Sequence, residues 1–427
     1  MMRIAIVGSG PSGAAAAVLL AQAGAQVTLL DDGKRPEMVV GESLVPAVVP
    51  ILQRLGIEED VIELGCVKPG ASFIWSPSVQ FEFKFARFAP DVPPYAYNIP
   101  RPQFDNALAA RAATAGVTRA HIRAKLVSGT GSGAEVLLSP QTLAQIPSLG
   151  GHQPDLIVDA TGRARCIPRM LDIASQVGPR DDIAHFAHYT ETHWAYPPGQ
   201  IVVMRLAAGW SWCIPLKDRL SVGIVAGRDY WSAIGGTTAD RLERAIAAEP
   251  ALQRIVEDGQ RISSIATYSN YQLVAERGHG RGWVAIGDAF GFVDPMLSPG
   301  VFLGLQSAER LSDALRPLIA QPGAASPQAV DERLSGYASR QHASLVAWME
   351  LIGYFYDGRL AAMVDAGHEW MKSSRSGIKT RMQNHIERHM ALLACGVGTT
   401  SRYGRGLLRF LGRHGLGGRD PAHYAIR

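Results

Sequence analysis

The sequence predicts an α/β chain with a discontinuous dinucleotide-binding domain, a β-sheet layer on the substrate side and a helical C-terminal region. Three observations carry this. Residues 1–32 spell strand, glycine turn, helix, strand and acid in one unbroken run. Strand-then-glycine turns return far downstream, at Asp159-Ala160-Thr161-Gly162 and at Gly287-Asp288-Ala289. Between these turns lie alternating, aromatic segments that read as antiparallel β-structure.

The opening run comes first. Arg3–Val7 is a short apolar strand, followed at once by Gly8-Ser9-Gly10-Pro11-Ser12-Gly13. An Ala/Leu-rich helix over 14–23 leads to a second strand over 26–30, which ends on Asp31. GxGxxG between a strand and a helix is the dinucleotide fingerprint. Gly8 allows the tight turn, Gly10 lets the backbone approach a pyrophosphate, and Gly13 lets the helix pack on the strand. The free N–H groups and dipole of the helix N-terminus attract phosphate. Asp31 is placed to accept from a ribose hydroxyl. The Gly/Pro break after only five strand residues argues against a signal peptide.

Further along, a helix is expected over 41–55, capped by Glu42 or Ser43. Residues 70–88 read as a β-hairpin turning at Ser76-Pro77-Ser78. Arg101 starts a helix to about 115, and 155–162 is a buried strand ending in a glycine turn. Strands follow over 201–206, 209–215 and 221–225, and helices over 238–248 and 252–257. A third strand of the dinucleotide domain runs from 282, and a helix covers 301–319. Residues 321–327 form a linker, and the remainder is helical up to a Gly-rich end from Gly396. This divides the chain into a dinucleotide-binding domain (1–65, 100–170 and 275–320), a substrate-side β domain (66–99 and 171–274) and a mostly helical, basic region (321–427).

Composition sets the bounds. The 427 residues are 47% hydrophobic and 19% charged, as in an ordinary soluble protein. No uninterrupted apolar run reaches the ~20 residues that cross a bilayer, so the expectation is a cytoplasmic protein with no membrane partner. Cys66, Cys166, Cys213 and Cys395 form no CxxC, which fits free thiols in a reducing compartment. His385 and His389 share a helix face, and His185 and His188 lie three apart, but neither pair comes with the Cys or carboxylate partners of a metal site. No metal is expected. Net charge is only +4, yet residues 373–427 hold ten Lys and Arg, Arg375 among them, against Glu387 and Asp420. This reads as a solvated basic face or a docking surface for an acidic protein partner. Nucleic acid is not expected, because no known binding motif accompanies the charge.

Together, the motifs at 8–13, 159–162 and 287–289 resemble class A flavoprotein monooxygenases. That resemblance implies a Rossmann-like FAD-binding domain with Asp288 on an FAD hydroxyl. It completes a cofactor set of Gly8, Gly10, Ser12, Gly13, Asp31, Ser43, Arg101, Gly162, Asp288, Pro295, Gly300 and Val301. Two more motifs narrow the resemblance. Trp210-Ser211-Trp212-Cys213-Ile214-Pro215 matches the WxWxIP of flavin-dependent halogenases, and Phe292 to Gly300 matches their FxxPxxSxG. Trp210 and Trp212 would then wall off the flavin, while Gly300 and Val301 offer backbone N–H groups that Pro299 cannot. Lys68 stands where many of these enzymes carry the lysine that handles hypohalous acid.

As a whole the sequence is similar to the flavoprotein monooxygenases of tryptophylquinone biogenesis, specifically quinohemoprotein amine dehydrogenase maturation. The function this implies is hydroxylation of an aromatic ring through a flavin C4a-hydroperoxide, on a tryptophan of a protein substrate. The alternative is halogenation of a phenol, pyrrole or indole using Lys68. Further alternatives are a non-catalytic FAD-binding assembly factor and a reductase of isoprenoid double bonds. O₂ is the expected co-substrate. One GxGxxG implies that reduced flavin comes from a separate reductase or from transient NAD(P)H.

Overall fold

The computed structural model describes residues 1–129, 135–269, 272–321, 323, 325–372 and 377–427. Residues 322 and 324 of the expected linker, and Arg375 of the basic region, lie outside these.

The first layer is a six-stranded sheet. Its order is His279–Gly280, Trp283–Ala285, Leu156–Asp159, Arg3–Val7, Gln26–Leu30, Thr118–Ala120. All pairs are parallel except the one at the His279–Gly280 edge. A parallel sheet must have both faces covered, and its strands are accordingly continuous buried apolar runs. The helix Pro11–Gln22 covers one face, and the long helix Pro299–Ala320 packs against that helix. Two glycines allow this close approach. A Cβ on Gly13 would meet the Gly8 carbonyl oxygen at 1.9 Å, and one on Gly304 would meet Ser12 Oγ at 2.4 Å.

The second layer is an eight-stranded sheet. Along it run Gln260–Arg261, Asp182–Thr190, Leu220–Gly227, Trp210–Pro215, Ile201–Arg205, Gly70–Ile74 and Gln80–Lys84, with Ala266–Ser269 also paired to Asp182–Thr190. The expected hairpin is the Gly70–Ile74 and Gln80–Lys84 pair, but 85–88 leaves the sheet as a 3-10 turn. Strand alternation gives this sheet two faces. One face carries Val202, Met204, Cys213, Val222 and Ile224 into a core shared with the helices Arg228–Ile234, Thr238–Ala247 and Pro250–Val256. The other face looks across at the first layer.

The remaining helices, Pro327–Tyr356, Arg359–Lys372, Gly377–Ala394 and Arg402–His414, close the C-terminal side. Two expectations are corrected. The helix expected from 41 begins only with a 3-10 turn at Pro46–Val48 and turns α at Val49–Leu55. Neither Glu42 nor Ser43 caps it, because both side chains are engaged elsewhere. The Gly-rich end contains the helix Arg402–His414. Its Gly404 and Gly412 lie against neighbours: a Cβ would meet Leu393 at 3.2 Å and Tyr354 at 2.5 Å. Close packing, not chain flexibility, explains those glycines.

Candidate active site

A deep cleft runs between the two layers. Its lining includes Gly10, Ser12, Ser43, Lys68, Arg101, Gly162, Trp210, Trp212, Asp288, Pro295, Gly300 and Val301, twelve of the fifteen residues singled out from the sequence. Gly8 and Gly13 lie beneath it. Gly8 has φ +104°, and its Cβ would meet the Ala160 carbonyl at 2.4 Å. Gly10 has open space where its Cβ would be. The glycine turn therefore presents bare backbone and the N-terminus of Pro11–Gln22 to the cleft, the arrangement an anion needs. The N-terminus of Pro299–Ala320 brings Gly300 and Val301 to the same cleft.

Asp31 lies outside the lining. Its Oδ1 accepts from the Gly33 amide at 2.8 Å and its Oδ2 from Arg119 at 3.2 Å. Burial pushes its pKa up, but Ser9, Gly33, Arg35 and Arg119 outweigh that and hold it low. A ribose hydroxyl would share this carboxylate with those donors. Asp159 is wholly structural: it accepts from Thr161 and from the Ile167 amide, and so shapes the turn that brings Gly162 to the cleft.

Asp288 is the opposite case. Among the described residues no hydrogen-bond donor reaches its carboxylate, and burial pushes its pKa up to about 6 against the pull of Arg101 and Arg163. A carboxylate without a partner, set in a cleft wall, fits a ligand that brings hydroxyl donors. The bare glycine turn, two helix N-termini and Asp288 thus suit a dinucleotide with a polyhydroxy chain. Arg101 donates to Asp105 at 3.1 Å and to the Val40 carbonyl at 2.6 Å, which fixes the loop before Gly41.

The roof over the other end is apolar and aromatic. Trp210 and Trp212, two apart on one strand, face the cleft with ring centroids 5.8 Å apart. Gly223 on the neighbouring strand makes room for Trp212, since a Cβ there would meet the ring at 2.2 Å. Trp210 Nε1 donates to the Tyr356 hydroxyl at 2.9 Å, and that hydroxyl donates to Asp294 at 3.1 Å. Asp294 also accepts from Gln272 and from the Met296 amide. The loop it holds includes Leu297 and Ser298 at φ +67° and +59°. Consecutive non-glycine residues in that region are held only by their surroundings.

Lys68 is buried. Its Nζ donates to Ser43 Oγ and to the Leu44 carbonyl, both at 2.9 Å. Burial lowers its pKa to about 7, and Cys395 opposes the shift weakly. Cys395 also lines the cleft, its thiol pushed up to about 12 by burial.

Residues not foreseen for the site are Glu42, His188, Asp294, Tyr356 and Gly223. His188 and Glu42 share a 2.9 Å hydrogen bond, both buried. A strand places His185 and His188 on opposite faces, which was the available signal. His185 instead pairs with Thr267 and Trp231. His385 and His389 stack with Tyr403 in the C-terminal region. Among the described residues no three His, Cys, Asp or Glu side chains gather as a metal site, and no helix is long and apolar enough to cross a membrane.

The fold and this cleft define an FAD-binding flavoprotein of the class A type. An FAD-binding domain model matches residues 1–138, and a tryptophan halogenase model matches residues 82–357. The chain belongs to the tryptophan halogenase family of flavin-dependent enzymes. It is 28% identical over 340 residues to the tryptophan 2-halogenase of Chondromyces crocatus, a match covering 74% of this chain and 62% of that protein. Over 332 residues it is 28% identical to a brominase of 1H-pyrrole-2-carbonyl-peptidyl-carrier protein from Pseudoalteromonas luteoviolacea, covering 74% of this chain and 77% of that one. The fold is also that of a flavoprotein/dehydrogenase from Cytophaga hutchinsonii, with TM-score 0.77, 21% identity, and 96% and 98% of the two chains covered.

Proposed function

We propose that this protein halogenates an electron-rich aromatic ring, a phenol, pyrrole or indole, with Lys68 as the residue that holds hypohalous acid. The observation that carries this is the buried Lys68 ammonium in the wall of the aromatic end of the cleft. When bound, reduced FAD and O₂ would supply the oxidising equivalent that converts halide to hypohalous acid. Gly10, Ser12, Arg101, Gly162, Asp288, Gly300 and Val301 would hold that cofactor. The reduced form would come from a separate reductase or from transient NAD(P)H.

Two of the three N–H bonds on the Lys68 ammonium go to Ser43 and Leu44. Among the described residues no hydrogen-bond acceptor takes the third, and the ammonium lies over the Phe85 ring, 5.6 Å from its centroid, so an oxygen in the cleft can take that bond. A pKa of about 7 makes this ammonium a stronger acid than an ordinary lysine. It can therefore protonate hydroxide as that leaves from hypohalous acid. Trp210, Trp212, Phe186 and Phe83 line this end with apolar surface, which limits the water that meets a reactive oxidant.

Mass spectrometry of products made with and without chloride or bromide tests the reading. The halogen isotope pair is expected only with halide, and Lys68→Ala is expected to abolish it. A halide-independent product carrying added oxygen would replace it with the second reading, hydroxylation of a tryptophan in a protein substrate during tryptophylquinone biogenesis. That reading draws on the basic C-terminal region as a docking surface. Its charge is partly answered within the chain: Arg388 pairs with Asp91, Arg405 and Arg409 with Glu350, and Arg419 with Asp365. Halogenation is therefore placed first.

A further inference from the structure

Electrophilic substitution on an aromatic ring ends with loss of the ring proton, and a base in the same cleft would take it. Among the described residues three carboxylates line that cleft: Glu42, Asp288 and Asp294. Asp294 is committed to Tyr356, Gln272 and the Met296 amide. Asp288 lies at the cofactor end, between Gly287, whose Cβ would meet Ser12, and the helix Pro299–Ala320.

Of the three, Glu42 is the carboxylate at the aromatic end with only one hydrogen-bond partner among the described residues. It immediately precedes Ser43, the residue that holds Lys68 Nζ. Behind it stands His188. On the strand Asp182–Thr190, alternation puts Ala184, Phe186 and His188 on one face, and Ala184 and Phe186 line the cleft. His188 Nε2–H donates to Glu42 Oε1 at 2.9 Å. Glu42 is 4% exposed and His188 9%. Among the described residues no donor reaches Oε2, and Glu42 lines the cleft. A buried carboxylate in the cleft wall, with one oxygen anchored by an imidazole and the other without a donor among the described residues, is an oriented proton acceptor.

We propose that Glu42 is the catalytic base that takes the ring proton, with His188 as its positioning residue. This rests on the reading above that the cleft carries out electrophilic aromatic substitution. The ring's π pair forms the carbon–halogen bond as the halogen–oxygen bond of hypohalous acid breaks. Its electron pair stays on oxygen, which takes the Lys68 proton and departs as water. The C–H pair then refills the ring and the proton passes to Glu42 Oε2, from which solvent returns it to the Lys68 amine. Hydroxylation of the ring would release the same proton, so the role of Glu42 is shared by both readings.

The test uses the full chain loaded with FAD, with phenol and ring-deuterated phenol as probes and taurine as a trap for hypohalous acid. Glu42→Gln is expected to lower kcat by about 10²–10⁴-fold, the usual worth of a positioned base. It should also expose a primary isotope effect absent from the parent. FAD affinity and taurine chlorination should stay at the parent level, which shows that the variant folds and that its oxidant supply is intact. Glu42→Asp should restore part of kcat, and His188→Asn should lower kcat without changing KM. Parental kcat with no isotope effect in Glu42→Gln would overturn the proposal and leave halogenation standing. Oxygenated phenol in place of halogenated phenol would remove the halogenation reading, and the same isotope comparison would then judge Glu42. No aromatic product from the parent with any halide would overturn both.

Discussion

At the residue scale, Lys68 owes its chemistry to where it ends a strand. Cys66–Lys68 pairs with Ala96–Asn98, which points Lys68 inward under Ser43. Folding therefore strips water from the ammonium and lowers its pKa from 10.5 to about 7. The sign follows. The unfolded lysine keeps its proton to about 10.5 and the folded one loses it near 7, so across that window the unfolded state binds more protons and stability rises with pH. Activity runs the other way if the ammonium is the working form. A profile of kcat against pH should fall as pH rises through about 7. Lys68→Arg should be slower but flat across that range, since guanidinium keeps its proton. A profile that instead rises through neutral pH would sink the proton-donor role and favour the free amine. Sequence marked this residue only by its likeness to the position where flavin-dependent halogenases carry a lysine. Its burial was not readable there, because a lysine beside Pro69-Gly70 is ordinarily solvated.

At the element scale, the two tryptophans were legible because period-2 alternation puts Trp210 and Trp212 on one face whatever the partner strands are. What holds them was not. Trp210 is tied to Tyr356 and Trp212 fits against Gly223, contacts that depend on strand order and on a helix 146 residues away. Gly223→Ala tests the fit. The added methyl would meet the Trp212 ring at 2.2 Å, and an overpacked core of this kind costs typically about 1–3 kcal/mol. Denaturant unfolding should show that loss, and FAD affinity should fall because the ring is pushed into the cleft. Unchanged stability would mean that the strand pair yields locally. The helix Arg402–His414 teaches a related lesson. Glycine density argued that helical structure stops near Gly396, but two glycines of this helix are where it meets Leu393 and Tyr354.

At the scale of the whole molecule, the cleft belongs to no single stretch of chain. Its walls come from Gly10, Glu42, Lys68, Arg101, Gly162, Phe186, Trp212, Asp288, Val301 and Cys395, which nearly span the sequence. The cofactor motifs were visible early because each is local: a strand, a glycine turn and a helix start are neighbours in sequence. The Glu42–His188 pair, also 146 residues apart, was not visible, because nothing in either segment names the other. A ligand in such a cleft bridges both layers and binds only the folded state. FAD at a hundred times its Kd should therefore raise unfolding stability by about 2.7 kcal/mol, as linkage requires for one site. Thermal unfolding with and without FAD would read this as a rise in Tm. Gly13→Ala should remove the rise, since its Cβ would sit 1.9 Å from the Gly8 carbonyl and force helix and turn apart. Exposed Arg413, on the far C-terminal helix, serves as the control, and Arg413→Ala should keep the full shift. If Gly13→Ala folds and still gains the parental rise in Tm, FAD is not held at the glycine turn, and the assignment of Asp288 and the two helix N-termini falls with it.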